Sequence, residues 1–121
     1  MRRSFVRRSL DGGASFTTVD RFALSETKNA ETYQLVDDPA RGVLKTIGYA
    51  IDDGGIHHWI QRSTDDGGAT WRTELDYLGT EGRGGYGHNL AVEDGRWFSA
   101  GFSFRTGDRQ SAIWTVLQRE P

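Results

Sequence analysis

The sequence predicts an all-β fold made of about two copies of one antiparallel unit. Three observations point there. Stretches of alternating large and small side chains recur along the chain, and no helical period of useful length appears. The 16 glycines far outnumber the two prolines, and many stand beside Asp between those stretches, as tight turns require. An octapeptide pattern also returns after a fixed interval, and such a repeat fixes the architecture before anything else does.

Phe5–Arg8 reads as the opening strand. Ser9 to Phe16 (SLDGGASF) is an Asp-rich turn, and Phe16–Phe22 the strand after it. Tyr33–Asp37, Val43–Ile51 and His57–Arg62 follow as strands. Thr64 to Trp71 (TDDGGATW) repeats the turn, and Trp71–Tyr77 repeats the strand after it. Asn89–Glu93, Trp97–Phe104 and Ile113–Arg119 complete the set, while Gly79–Gly87 reads as a long loop. Both turns fit Ser/Thr-x-Asp-x-Gly-x-Ser/Thr-aromatic, and Ser9 and Thr64 stand 55 residues apart (64 − 9). Phe22 and Tyr77 keep the same interval. VLKTIGYAI and WFSAGFSF form a second matched pair, with Ile47, Tyr49 and Ile51 opposite Thr46, Gly48 and Ala50, and with Ala100, Phe102 and Phe104 opposite Ser99, Gly101 and Ser103. A strand large on one side and small on the other suits sheets stacked face to face. The whole chain, 1–121, reads as one domain, with repeat one at about 5–58 and repeat two at about 59–121.

Composition narrows the function. A formal charge of −2 gives no reason to expect nucleic acid or an anionic membrane as partner. No apolar run is long enough to span a bilayer. The basic start lacks an apolar core behind it, so it does not read as a signal peptide. Without Cys there is neither a disulfide scaffold nor Cys-ligated zinc.

The Asp-rich turns have a structural logic. The carboxylates of Asp11 and Asp66 and the hydroxyls of Ser9 and Thr64 can satisfy backbone amides that the sheet leaves free. Gly13 and Gly68 take the positive φ that a side chain makes costly. Phe16 and Trp71 are expected to enter the next strand and bury their rings. Asp53-Gly54-Gly55 lacks the flanking hydroxyls and reads as a plain hairpin turn. The two full turns, with His58-Trp59-Ile60-Gln61-Arg62-Ser63 ahead of the second, resemble the Asp box, or bacterial neuraminidase repeat, of sialidases and related β-propellers. The likeness covers nearly the whole chain. It implies a partial propeller of about two four-stranded blades, with strands c-d, then a-b-c-d, then a-b-c, and it places each box at a c–d turn away from the ligand face.

The family's hydrolases carry an arginine triad, a Tyr/Glu pair, an acid/base Asp and an Arg-Ile-Pro segment. Here the only prolines, Pro39 and Pro121, follow Asp38 and Glu120, so that segment is absent. No catalytic residue, cofactor or metal is assigned. Asp37-Asp38, Asp52-Asp53 and Asp65-Asp66 read as solvated turn residues. His57 and His58, as strand neighbours, point to opposite faces and do not easily share an ion. The resemblance implies a ligand face built from the loops Leu24–Thr32, Asp52–His57, Gly79–His88 and Arg105–Gln110. Its candidates are Lys28, His57, Arg83, Tyr86, His88, Arg105 and Arg109, which suit a glycan through charge-assisted bonds and stacking. The expected function is a non-catalytic scaffold or a glycan- or protein-binding module, with a fragment of a sialidase-like glycosidase as the alternative. The family is often exported. Blades incomplete at both ends imply either a homo-oligomer, trimer or tetramer, or a longer propeller chain.

Overall fold

The computed structural model describes residues 2–105 and 108–120, and the side chains of 108–111 lie outside that description. The side chain of the candidate Arg109 and residues 106 and 107 therefore fall outside the described residues, while the rest of the stretch expected as the loop Arg105–Gln110 is strand and not loop, with Arg105 ending one strand and residues 108–110 opening the next. Among the described residues there are nine strands: β1 (Ser4–Arg8), β2 (Thr17–Phe22), β3 (Ala30–Asp38), β4 (Val43–Ile51), β5 (His57–Thr64), β6 (Arg72–Tyr77), β7 (Gly85–Glu93), β8 (Arg96–Arg105) and β9 (Asp108–Arg119). They form antiparallel sheets of two, four and three strands, in the orders β1-β2, β3-β4-β5-β6 and β7-β8-β9. Among the described residues there is no helix, and no sheet closes into a barrel.

The alternation read from the sequence decides how the sheets stack. The large face of the four-stranded sheet, with Ile47 and Trp59, meets the third sheet, whose Leu90 and Trp97 complete a buried cluster. Small residues let the sheets approach there, since a Cβ on Gly87 would lie 2.5 Å from Ile47 Cγ1 and 2.4 Å from Trp59 Nε1. The small face of the four-stranded sheet turns the other way. Ala30, Ala50 and Ile60 meet Phe22, Ala23 and Leu24 at the end of the first sheet.

Irregularities repeat along with the strands. In β3 the extra residue of a β-bulge is Tyr33, lying between the Thr32–Gly48 and Gln34–Ile47 pairs. In β7 it is His88, between the Gly87–Gly101 and Asn89–Ala100 pairs. The interval is again 55 (88 − 33). Glycine opposite each bulge is obligatory, because a Cβ on Gly48 would reach Glu31 O at 1.9 Å and one on Gly101 would reach Tyr86 O at 1.9 Å.

The two Asp-rich turns, at β1–β2 and β5–β6, bond alike. Asp11 accepts from the Ser15 amide at 2.9 Å and the Ser15 hydroxyl at 2.5 Å, while Ser9 Oγ accepts from Gly13 N at 2.8 Å. Asp66 accepts from the Thr70 amide at 2.9 Å, and Thr64 Oγ1 accepts from Gly68 N at 3.1 Å. Gly13 and Gly68 have φ of 94° and 93°. Hydrogen bonds from Ser15 and Ser9 hold the Asp11 carboxyl down at about 2, and Thr70 and Thr64 push Asp66 down in the same way. Thr64 is buried, so Thr64→Val should leave the Gly68 amide unsatisfied and cost about 1–3 kcal/mol. Urea denaturation checks this; a variant as stable as the parent would contradict the role given to the hydroxyl.

Three expectations need correction. Phe16 does not bury its ring: it lies just before β2, exposed, with the Arg7 guanidinium 5.9 Å from its centroid. Trp71 is half-buried, also outside its strand, and donates from Nε1 to Gly68 O at 3.0 Å. Finally, β3 begins at Ala30 and β7 at Gly85, so the stretches read as loops up to Thr32 and His88 are partly strand.

Candidate functional site

The starts of β3, β5 and β7 and the ends of β4 and β8 lie at the end of the sheets opposite the Asp-rich turns. There the two bulges do something the regular ladder could not. A bulge re-aims one side chain out of the pleat, and here it brings Tyr33 and His88 together, stacked with centroids 4.9 Å apart and planes 8° off parallel. Tyr86 packs on Tyr49 at 4.6 Å and on His57 at 4.8 Å, and it stands beside Phe102 at 4.9 Å. The result is a continuous aromatic edge shared by two sheets, with Tyr33 its exposed outer member.

Charge lies beside this edge. Glu31, on β3, is ion-paired with Arg2, and its carboxylate acts on the phenols of Tyr33 and Tyr49. Burial first, and the Glu31 charge second, push both phenols above their ordinary range. Burial, with the neighbouring Tyr49 and Glu31, does the same to Tyr86. These hydroxyls are therefore neutral donors at physiological pH, suited to hydrogen bonding and poor as nucleophiles.

Of the seven candidates read from the sequence, His57, Tyr86 and His88 are brought together here. Tyr86 and His88 are strand residues of β7 and not loop residues as expected. Lys28, Arg83 and Arg105 are exposed, and none of the ring contacts among the described residues involves them. Tyr33, Tyr49 and Glu31 went unread as site residues. The available signal was the 55-residue interval itself, which carries Glu31 onto Tyr86 and Tyr33 onto His88.

His58 points the other way, as strand alternation demands. Its Nδ1 lies 2.6 Å from Asp76 Oδ1 and its Nε2 lies 2.9 Å from Asp52 Oδ2, so both ring nitrogens are taken and neither is left for a metal. Asp52 also accepts from Ile56 N at 2.9 Å, tying the β4–β5 turn to β6 through the imidazole. Burial disfavours the imidazolium, but the hydrogen bonds and charges of the two carboxylates outweigh it and raise the His58 pKa above 6.5. Asp52 is lowered, chiefly by its bond to His58. A raised histidine stabilises the fold fully below its unfolded value and loses that contribution as pH rises through the folded one. A lowered Asp does so above its unfolded value and loses it toward acid. Melting temperature should therefore decline above about pH 6.5, the unfolded-histidine value, and His58→Gln should flatten that decline. A variant with the parent's slope would exclude His58 as its source.

Among the described residues no group of three or more His, Asp or Glu side chains is arranged to hold a metal ion. In comparisons with known proteins the chain matches no family model, no curated protein and no solved structure.

Proposed function

We propose that the chain is a non-catalytic segment of an Asp-box β-propeller, and that its aromatic edge binds carbohydrate. The blade reading is supported by two Asp-rich turns with matching hydrogen bonds, each between the last two strands of a sheet. It is supported further by the a-b-c-d order of the four-stranded sheet and by large-to-small stacking of the second sheet on the third. The observation that carries the binding reading is the stacked Tyr33–His88 pair, built by bulges at equivalent positions of two repeats. An aromatic face takes the apolar side of a sugar ring, while Arg2, Glu31 and the tyrosine hydroxyls offer donors and acceptors for its hydroxyls.

The test is a calorimetric titration with the best ligand from an immobilised oligosaccharide panel. Tyr33→Ala should weaken binding by about tenfold or more, a loss of ~1.4 kcal/mol. Asp66→Ala, where folded, should bind like the parent. A panel with no ligand, or a Tyr33→Ala variant of parental affinity, would sink the assignment.

A sialidase-like fragment is the second reading. The observation in its favour is Glu31 paired with Arg2 and acting on the phenols of Tyr33 and Tyr49, a grouping such hydrolases use. Against it stand the absent Arg-Ile-Pro segment and phenols pushed up. A fluorogenic sialoside should give no turnover that follows the chain through purification.

A further inference from the structure

Repeat equivalence makes one sheet interface a template for another. Gly101 pairs with Thr115 as Gly48 pairs with Ile60, so β9 stands in its sheet where β5 stands in the four-stranded one. By the same register Trp114 corresponds to Trp59, Val116 to Gln61 and Phe102 to Tyr49. Trp59, Gln61 and Tyr49 are 0, 4 and 7 % exposed, whereas Trp114 and Val116 are 83 and 70 % exposed. The positions match and the cover does not. An indole and a valine side by side on one strand, next to Phe102, make an apolar patch of the kind that marks a contact surface.

What covers Trp59 is chemically specific. β7 crosses β3, β4 and β5 and puts Gly87 against the indole, where a Cβ would lie 2.4 Å from Nε1. The other interface is matched differently. Thr32, the equivalent of Gly87, is hydrogen-bonded through its hydroxyl to Ser4, the equivalent of Trp59. Tryptophan meets glycine, and small hydroxyl meets small hydroxyl. On this pattern Trp114 demands glycine.

We infer that the face of β8 and β9 bearing Phe102, Trp114 and Val116 is a docking surface for a further antiparallel sheet of this repeat, whose innermost strand sets a glycine against Trp114. A second copy of this chain does not fit. Its β3 offers Thr32 at the contact, and its β7 already spends Gly87 on its own Trp59. A cleft of about 260 Å³ lined by Leu75, Tyr77, Trp97 and Leu117 lies on the opposite face of β9, between the second and third sheets, where a strand added to the free edge of β9 would close it. The inference rests on the blade reading but not on carbohydrate binding, so a failed sugar titration leaves it standing.

The experiment lengthens the full chain so that residues 64–121 follow Gln118 a second time. That addition carries an Asp-rich turn, a strand for the free edge of β9 and a glycine-bearing sheet. Trp114, isolated by difference against Trp114→Phe, should lose its quenching by acrylamide and shift its emission to the blue. Gly87→Thr in the added copy alone should reverse both changes. A folded, lengthened chain with Trp114 still quenched, or one indifferent to Gly87→Thr, overturns the inference. Should the lengthened chain not fold, the parent decides. Trp114→Ser should leave its mass by light scattering and its melting temperature unchanged, whereas an oligomer that Trp114→Ser dissociates would make the occupant a second copy and refute the assignment.

Discussion

Trp59→Ala will remove a large part of the chain's stability, while Trp114→Ala will barely be felt. Both are tryptophans at the same place in a repeat, so their difference isolates cover from chemistry. Trp59 is buried against Ile47, Leu90 and Trp97 and meets Tyr77 edge-on at 5.6 Å. Its indole nitrogen finds no hydrogen-bond partner among the described residues, so its contribution is packing. Truncating a buried tryptophan costs about 3–5 kcal/mol, a large part of the roughly 5–15 kcal/mol that holds a domain together. The neighbours cannot collapse into the hole, because the backbone of Gly87 already touches the ring and has no side chain to swing inward. An exposed substitution stays within about 0.5 kcal/mol. Urea denaturation followed by circular dichroism gives both numbers. Equal losses at the two positions would mean that Trp114 is covered in the chain on its own.

The strands and their grouping were legible because alternation and turn chemistry are local. VLKTIGYAI shows its two faces without reference to anything else, and SLDGGASF states its own turn. The starts of β3 and β7 were not legible. Ala30–Thr32 carries too little apolar character to read as strand, and Gly85–Gly87 looks like a breaker, yet Ala30, Thr32, Gly85 and Gly87 are small because another sheet or strand presses on them. Bulges leave no mark in one copy of a repeat; only superposing Tyr33 on His88 exposes them. Phe16 shows the limit of motif reasoning. The turn motif names an aromatic at its end, but among the described residues that ring meets the Arg7 guanidinium and stays exposed.

Buried charge was the least legible, because its partners are far apart in sequence. Arg62, on β5, donates from Nε to Asp20 Oδ2 and from NH2 to Asp20 Oδ1, both at 2.6 Å, and from NH1 to Thr73 Oγ1 at 2.8 Å. Its guanidinium lies 4.6 Å from the centroid of Phe22. The pair joins the first sheet to the second, and both side chains are almost fully withdrawn from water. Removing two charges from water costs several kcal/mol per ion, and the bidentate geometry offsets that only while both partners are present. Arg62→Ala should therefore cost about 3–5 kcal/mol, and Asp20→Ala about the same, because each leaves one buried charge alone. The chain also contains its own control. At the next interface the repeat puts Leu75 where Asp20 stands and Leu117 where Arg62 stands, and both leucines pack on the core there. The double variant Asp20→Leu, Arg62→Leu copies that solution, so it should recover most of the single losses and end near or above the parent. A double-mutant cycle in urea measures it. If the double variant were as unstable as the sum of the two alanine variants, the ion pair would be contributing through geometry that leucine cannot replace, and the equivalence of the two interfaces would fail at this position.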